Sequence, residues 1–173
     1  MRPSLVLLLA LATPLAHAQT NLAAYTAVNF NSDNNRVAIS TQFDDWQYQK
    51  VRCLDNDLTT NCGTNNGGGP NTNWIAVQVA AGTRVGPVAV YNRRDYTSIQ
   101  PWMGTIEVRV AATAGDASSG TSCGSATYRY APDTTGATPD NDPYILLCNG
   151  ASDGQWVTVR QTACTNCIDD HNV

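Results

Sequence analysis

Ile75, Val77 and Val79 alternate with Trp74, Ala76 and Gln78, the two-residue period of a strand with one face buried. Thr105-Ile106-Glu107-Val108-Arg109-Val110 repeats that pattern, and so does Val157-Thr158-Val159-Arg160. Val85 to Tyr91 and Tyr144 to Cys148 are more continuously apolar and predict strands covered on both faces. Ser125 to Tyr130, with Tyr128 and Tyr130 on one face, predicts a sixth strand. Clusters of Gly, Asn, Thr, Ser and Asp separate these runs, and no long stretch has a helical period. Short strands with turn signals between them predict an all-β antiparallel sandwich or barrel. Asn61 to Asn73, with Gly67-Gly68-Gly69-Pro70, and Ala112 to Ser122 predict loops, the second a mobile surface spacer.

Residues 1–18 stand apart from this pattern. Arg2 gives a positive start, Leu5 to Leu15 form a short apolar run, and Ala16-His17-Ala18 is a small-x-small cleavage signal. Pro14 interrupts the run, which is shorter than the ~20 apolar residues that spanning a bilayer requires. The expectation is a signal peptide over 1–18, a single domain over 19–173, no membrane insertion and a secreted product. Export sets the reading of Cys53, Cys62, Cys123, Cys148, Cys164 and Cys167. An oxidising compartment favours disulfides over a zinc site at Cys164-Thr165-Asn166-Cys167, which has no second ligand pair beside it. Count alone leaves the pairing open.

Charge and motif content are mainly exclusive. Lys50 is the sole lysine and the arginines are scattered, so the basic face that nucleic acid requires is not expected. After residue 18 the only histidine is His171, close to the terminus, and no metalloprotease, phosphate-loop or dinucleotide fingerprint occurs. Asp44-Asp45 and Asp169-Asp170 are adjacent acids, which on a strand point to opposite faces and suit glycoside chemistry poorly. The chain is expected not to be an enzyme.

Two segments carry polar chemistry. In Val88-Ala89-Val90-Tyr91-Asn92-Arg93-Arg94-Asp95-Tyr96 an apolar strand ends in a polar knot. Arg93 and Asp95, two apart, share a face if the strand continues. The pair can be aimed outward, where a guanidinium fork beside a carboxylate matches vicinal sugar hydroxyls and Tyr96 or Trp102 covers an apolar sugar face. A structural Arg–Asp bridge closing the strand end is the stronger reading on chemistry alone. Asp55-Asn56-Asp57 followed by Asn61 offers oxygen ligands suited to calcium, or equally an Asx-turn.

Taken in order, these landmarks resemble the fucolectin (F-type lectin) group within the discoidin and galactose-binding-like domains. They are Asn21-Leu22-Ala23, Cys53-Leu54-Asp55-Asn56-Asp57, Cys62, Asn73-Trp74-Ile75-Ala76-Val77-Gln78-Val79, and Val88-Ala89-Val90-Tyr91-Asn92-Arg93-Arg94-Asp95. Gly104 to Val110, Cys123-Gly124, Ile145 to Cys148 and Gly154-Gln155-Trp156-Val157-Thr158-Val159 complete the series. The resemblance implies an eight-stranded antiparallel jelly-roll β-sandwich with ligand-holding loops at one end. It also implies disulfides Cys123–Cys148 and Cys62–Cys167, leaving Cys53 for Cys164. Its calcium set falls on the Arg52 carbonyl, Asp55, Asp57 and Asn61. Ile168 stands where the family has a glutamate, and Asp169 is the residue that would substitute.

The family's sugar-binding positions are half kept. Arg93 and Asp95 match its R-x-D. Its histidine falls on Thr64, or on Asn66 when counted back from Arg93, and its second basic residue on Gln100, or on Pro101 when aligned from Gly104. Tyr96-Thr97 replaces an adjacent cysteine pair. A hydroxyl-binding site that loses its donors loses affinity, so fucose itself does not carry over. The expected function is a secreted carbohydrate-binding module for glycans or glycoproteins, in which Arg93 and Asp95 contact hydroxyls and Tyr96, Gln100, Asn66 and Thr64 set an altered specificity. The alternative is a non-lectin cell-adhesion or extracellular-matrix protein-interaction module on the same scaffold.

Overall fold

Valines and isoleucines spaced two apart dominate the core, because β-branched side chains pack well on a pleated surface with one dry face. The computed structural model describes residues 5–11, 36–40, 50–53, 62–64, 71–93, 97–129, 142–152 and 154–164. Among these, eight strands form: β1 (Leu5–Leu11), β2 (Val37–Ile39), β3 (Trp74–Gln78), β4 (Val85–Asn92), β5 (Thr105–Ala111), β6 (Thr121–Thr127), β7 (Tyr144–Ala151) and β8 (Trp156–Ala163). Short 3-10 segments cover Lys50–Cys53 and Thr97–Met103.

The strands make two antiparallel sheets, one in the order β1-β4-β7 and one in the order β2-β3-β8-β5-β6. Ile75 and Val77 of β3, Val157 and Val159 of β8, and Ile106, Val108 and Val110 of β5 form one wall of the core. Val85, Val88 and Val90 of β4 with Tyr144, Leu146 and Cys148 of β7 form the other. Register brings these residues side by side, Val77 opposite Val157 and Val159 opposite Val108. The fold is therefore all-β and sandwich-like.

Two bridges tie it. Cys123–Cys148 joins β6, the last strand of the five-stranded sheet, to β7, the last of the three-stranded sheet. Closing a sequence separation of 25 removes denatured-state entropy worth about 3.5 kcal/mol. The second bridge is Cys53–Cys62, which corrects the expected Cys62–Cys167 and Cys53–Cys164 pairs. Cys164 is also disulfide-bonded, and Cys167 lies outside the described residues. A separation of nine lets Cys53 reach Cys62 without crossing the domain, which a pattern of family landmarks does not reveal.

Two expectations about elements change, and two strands were not predicted from the sequence. β7 is not covered on both faces: Ile145 and Leu147 are 38 % and 53 % exposed, alternating with buried Tyr144, Leu146 and Cys148. β6 begins earlier than Ser125 and ends at Thr127, before Tyr128. β2, only three residues long, has too short a period to read from sequence. The apolar run at the N-terminus forms a strand, β1, paired with β4.

The stretch after β5 lies over part of the outer face of the five-stranded sheet and is hydrogen-bonded to it. Gly115 lies against the Trp74 indole, so close that a Cβ there would clash with the ring. Gly115 N–H donates to Thr158 Oγ1 at 3.2 Å, and Arg160 Nη2 donates to the Gly115 carbonyl. Arg160 Nη1 also donates to the Asn71 carbonyl at 2.9 Å. Burial pulls the Arg160 guanidinium below its usual pKa, and the carboxylates of Glu107 and Asp116 oppose that effect. Arg109 Nη1 reaches the carbonyls of Ser119 and Gly120, while its Nη2 pairs with Glu107 at 2.9 Å. At Gly154 a Cβ would lie 1.9 Å from the Ala111 backbone, so only glycine lets β5 and the start of β8 close together.

Asp116 folds the tip of this cover. Its carboxylate accepts from the Ser119 hydroxyl, from Ser119 N–H at 3.0 Å and from Ser118 N–H at 2.8 Å. These bonds, led by the Ser119 hydroxyl, hold the Asp116 pKa far below the ordinary aspartate value. A depressed folded pKa makes the contribution full above the unfolded value of about 3.9, and it is lost as pH falls toward the folded one. A pH titration of the Asp116 carboxyl carbon by NMR is therefore expected to show no protonation midpoint at or above about 3.9. A midpoint in the ordinary range would show that the Ser118–Ser119 cap does not hold in solution.

Candidate functional site at the end of strand β4

Where β4 leaves the sheet at Asn92, its main chain loses its ladder partners, and buried peptide groups left unpaired are costly. Side-chain amides replace the ladder. Asn92 Oδ1 accepts from Arg93 N–H at 2.9 Å, and Asn92 Nδ2 donates to the Gln100 carbonyl at 2.9 Å. Gln100 Nε2 donates back to the Arg93 carbonyl at 2.8 Å. The polar knot after β4 and the Thr97–Met103 segment are thereby laced together across seven residues.

A second amide braces the far end of that segment. Gln161 Nε2 donates to the carbonyls of Trp102 and Met103 at 2.7 and 3.2 Å, and its Oε1 accepts from Asn73 Nδ2 at 3.4 Å. On β8, Gln161 pairs with the core residue Ile106, where continued alternation would have placed another valine. It is polar because two main-chain carbonyls converge there and need a donor. Main-chain bonds from Asn71 N–H to the Gln161 carbonyl (2.8 Å) and from Gln161 N–H to the Asn73 carbonyl (3.0 Å) extend the seam to the strand before it.

Arg93 and Gln100, both expected at the ligand site, are thus brought together, and both are 1 % exposed. Thr64 is buried as well. This corrects the expectation of an outward-aimed guanidinium: Arg93 is enclosed by protein and makes further contacts there. Enclosing an arginine is tolerated only when its donors are satisfied, which demands a rigid, polar surround. Gln100 does not replace the family's second basic residue as a free donor, since its amide is committed to the Arg93 carbonyl. Asp95, Tyr96 and Asn66 lie outside the described residues. So do Asp55, Asp57, Asn61 and Asp169 of the expected calcium set, which leaves Arg52, in the Lys50–Cys53 segment, as its one described member. The Cys53–Cys62 bond closes covalently around the stretch bearing Asp55, Asp57 and Asn61. Among the described residues no group of three His, Cys, Asp or Glu side chains is placed to hold a metal.

Sequence reasoning missed Asn73, Asn92 and Gln161. The available signal was an amide at each place where an apolar alternation stops, a pattern shared with ordinary turn residues. No protein-family model, curated protein or solved structure matches the chain.

The Gln161 brace is open to test. Gln161→Ala leaves the Trp102 and Met103 carbonyls without their donor, at a cost of about 2 kcal/mol in urea denaturation. A loss within about 0.5 kcal/mol, the usual range for an unimportant surface change, would show that the amide is not what fixes the segment.

Proposed function

We propose that this chain is a secreted, non-catalytic carbohydrate-binding module, a jelly-roll sandwich of the galactose-binding type that takes glycan hydroxyls at the loop end beyond β4. The observation that supports it is the bracing of Arg93. Asn92 holds its N–H and Gln100 its carbonyl, so the residue's main chain is fixed before any ligand arrives. An enclosed guanidinium on a fixed main chain has little entropy left to lose when it exchanges one partner for another. Arg93 is enclosed in the free protein, so a sugar hydroxyl would take over a protein acceptor's place as its partner. Asp95 would orient the fork or accept a hydroxyl proton, and Tyr96 would cover an apolar sugar face. Asn66 and Thr64 would set a specificity different from that of fucose-binding relatives, with Gln100 acting as a positioning residue. Calcium at Asp55, Asp57 and Asn61, with the Arg52 carbonyl and Asp169, belongs to the same reading, as a loop-stabilising ion.

A protein-interaction module in adhesion or matrix is the second reading. The pair Ile145 and Leu147 favours it, because large aliphatic side chains on one strand face are exposed where a soluble domain usually places polar ones.

A glycan array probed with the secreted chain, with and without calcium, separates the two. The expected result is a restricted set of bound glycans whose signal falls at least about tenfold in Arg93→Lys, which keeps the charge but loses the planar fork. A blank array from a folded protein would remove the carbohydrate reading and leave the interaction module.

A further inference from the structure

The chain has six cysteines, and four of them are taken up by Cys53–Cys62 and Cys123–Cys148. Cys164 is disulfide-bonded as well, and the one cysteine of the chain left for it is Cys167. By that arithmetic the third bridge is a C-x-x-C pair closing over Thr165 and Asn166 alone. Neither the core nor the β4 end uses it.

We infer that Cys164–Cys167 is a thiol-exchange site, a bridge that an external thiol or dithiol opens and re-forms while the sandwich stays folded. The inference is independent of what the β4 end binds.

Access is the first observation that separates this bridge from the other two. Cys53, Cys62, Cys123 and Cys148 are all buried, whereas Cys164 is partly exposed. Exchange begins when a thiolate reaches a sulfur, so the accessible bridge reacts first. Position is the second. Cys123–Cys148 holds the two sheets together, but Cys164 is the first residue beyond β8 and its partner is only three residues on. A loop that short removes the least denatured-state entropy of the three, so opening it costs the fold least. The third is that the reduced form has a place to sit. Cys164 Sγ lies 3.6 Å from the Trp102 carbonyl oxygen. A half-cystine has no proton to give that oxygen, whereas a Cys164 thiol has one. The main chain on both sides is already fixed: a Cβ at Gly104 would clash with the Ala163 carbonyl and Cys164 Cα, and Gln161 holds the Trp102 and Met103 carbonyls. Opening the bridge therefore leaves Cys164 seated.

The step balances with the thiol as reductant. Its thiolate attacks one sulfur of the pair, the S–S bond breaks, and the other sulfur leaves as a thiolate and takes a proton. A second thiol then attacks the mixed disulfide and releases the remaining cysteine as a thiol. Two thiols are oxidised to one disulfide, and the bridge is reduced by two electrons.

The test exposes the folded, oxidised chain to dithiothreitol without denaturant, quenches the time course with iodoacetamide and maps the peptides by mass spectrometry. Alkylation of Cys164 and Cys167 is expected to run at least about tenfold faster than that of the other four cysteines, with the β-sheet circular dichroism unchanged. Oxidised glutathione is expected to restore the same bridge. Three bridges that react alike, fast or slow, would overturn the inference, and so would alkylation of Cys164 only alongside loss of the β signal. Mapping of Cys164 to any cysteine but Cys167 would overturn it as well. The double variant Cys164→Ser, Cys167→Ser is expected to fold and to lack the fast phase. If it cannot fold, the bridge is structural and the inference fails.

Discussion

Everything in this molecule depends on two valine-lined sheet faces meeting across one dry core. The alternation that builds those faces leaves no side chains on the inner surface for chemistry, so polar function is confined to the places where the alternation stops. Among the described residues, the most developed such place is the end of β4. There the chain must turn back through a 3-10 segment to start β5, and three amides, Asn92, Gln100 and Gln161, replace the hydrogen bonds that the sheet no longer supplies. The same residues that solve a folding problem also fix Arg93.

The outer faces divide the remaining roles. The five-stranded sheet is partly roofed by the Gly115 loop, held on Trp74 and by Arg160, with Glu107 and Arg109 occupied alongside it. The described charged side chains on that face, Glu107, Arg109 and Arg160, are committed to loop carbonyls and to each other. The three-stranded sheet has the opposite character: uncharged at β4, apolar and exposed at Ile145 and Leu147 of β7. Cys123–Cys148 clamps the two sheets where β6 meets β7.

Strand positions were legible because the period of two is a local property. Trp74–Gln78, Thr105–Ala111 and Trp156–Ala163 all follow from residues that are neighbours in sequence. What local pattern does not carry is how the other face of each strand is covered. The run at Tyr144 to Cys148 looked doubly buried because leucine and isoleucine sit at both phases, yet only one phase meets the core. Of the expected cysteine pairs Cys123–Cys148 forms, whereas Cys53 bonds the nearer Cys62, a pairing that the order of cysteines along the chain does not specify. At the site, the arginine was visible as an unusual charge after an apolar strand. Its enclosure was not, because that depends on Gln100 folding back from seven residues away.

In the proposed function, Arg93, whose main chain is held by Asn92 and Gln100, exchanges a contact within the protein for a sugar hydroxyl. The Arg93 Nε–H resonance, assigned through its loss in Arg93→Lys and followed by NMR as array-positive glycans are added, addresses it directly. The expected resonance is already protected from solvent exchange in the free protein and shifts saturably with the sugar, while the signals of Arg109 and Arg160 stay in place. A sugar that binds and leaves that resonance unmoved would contradict it.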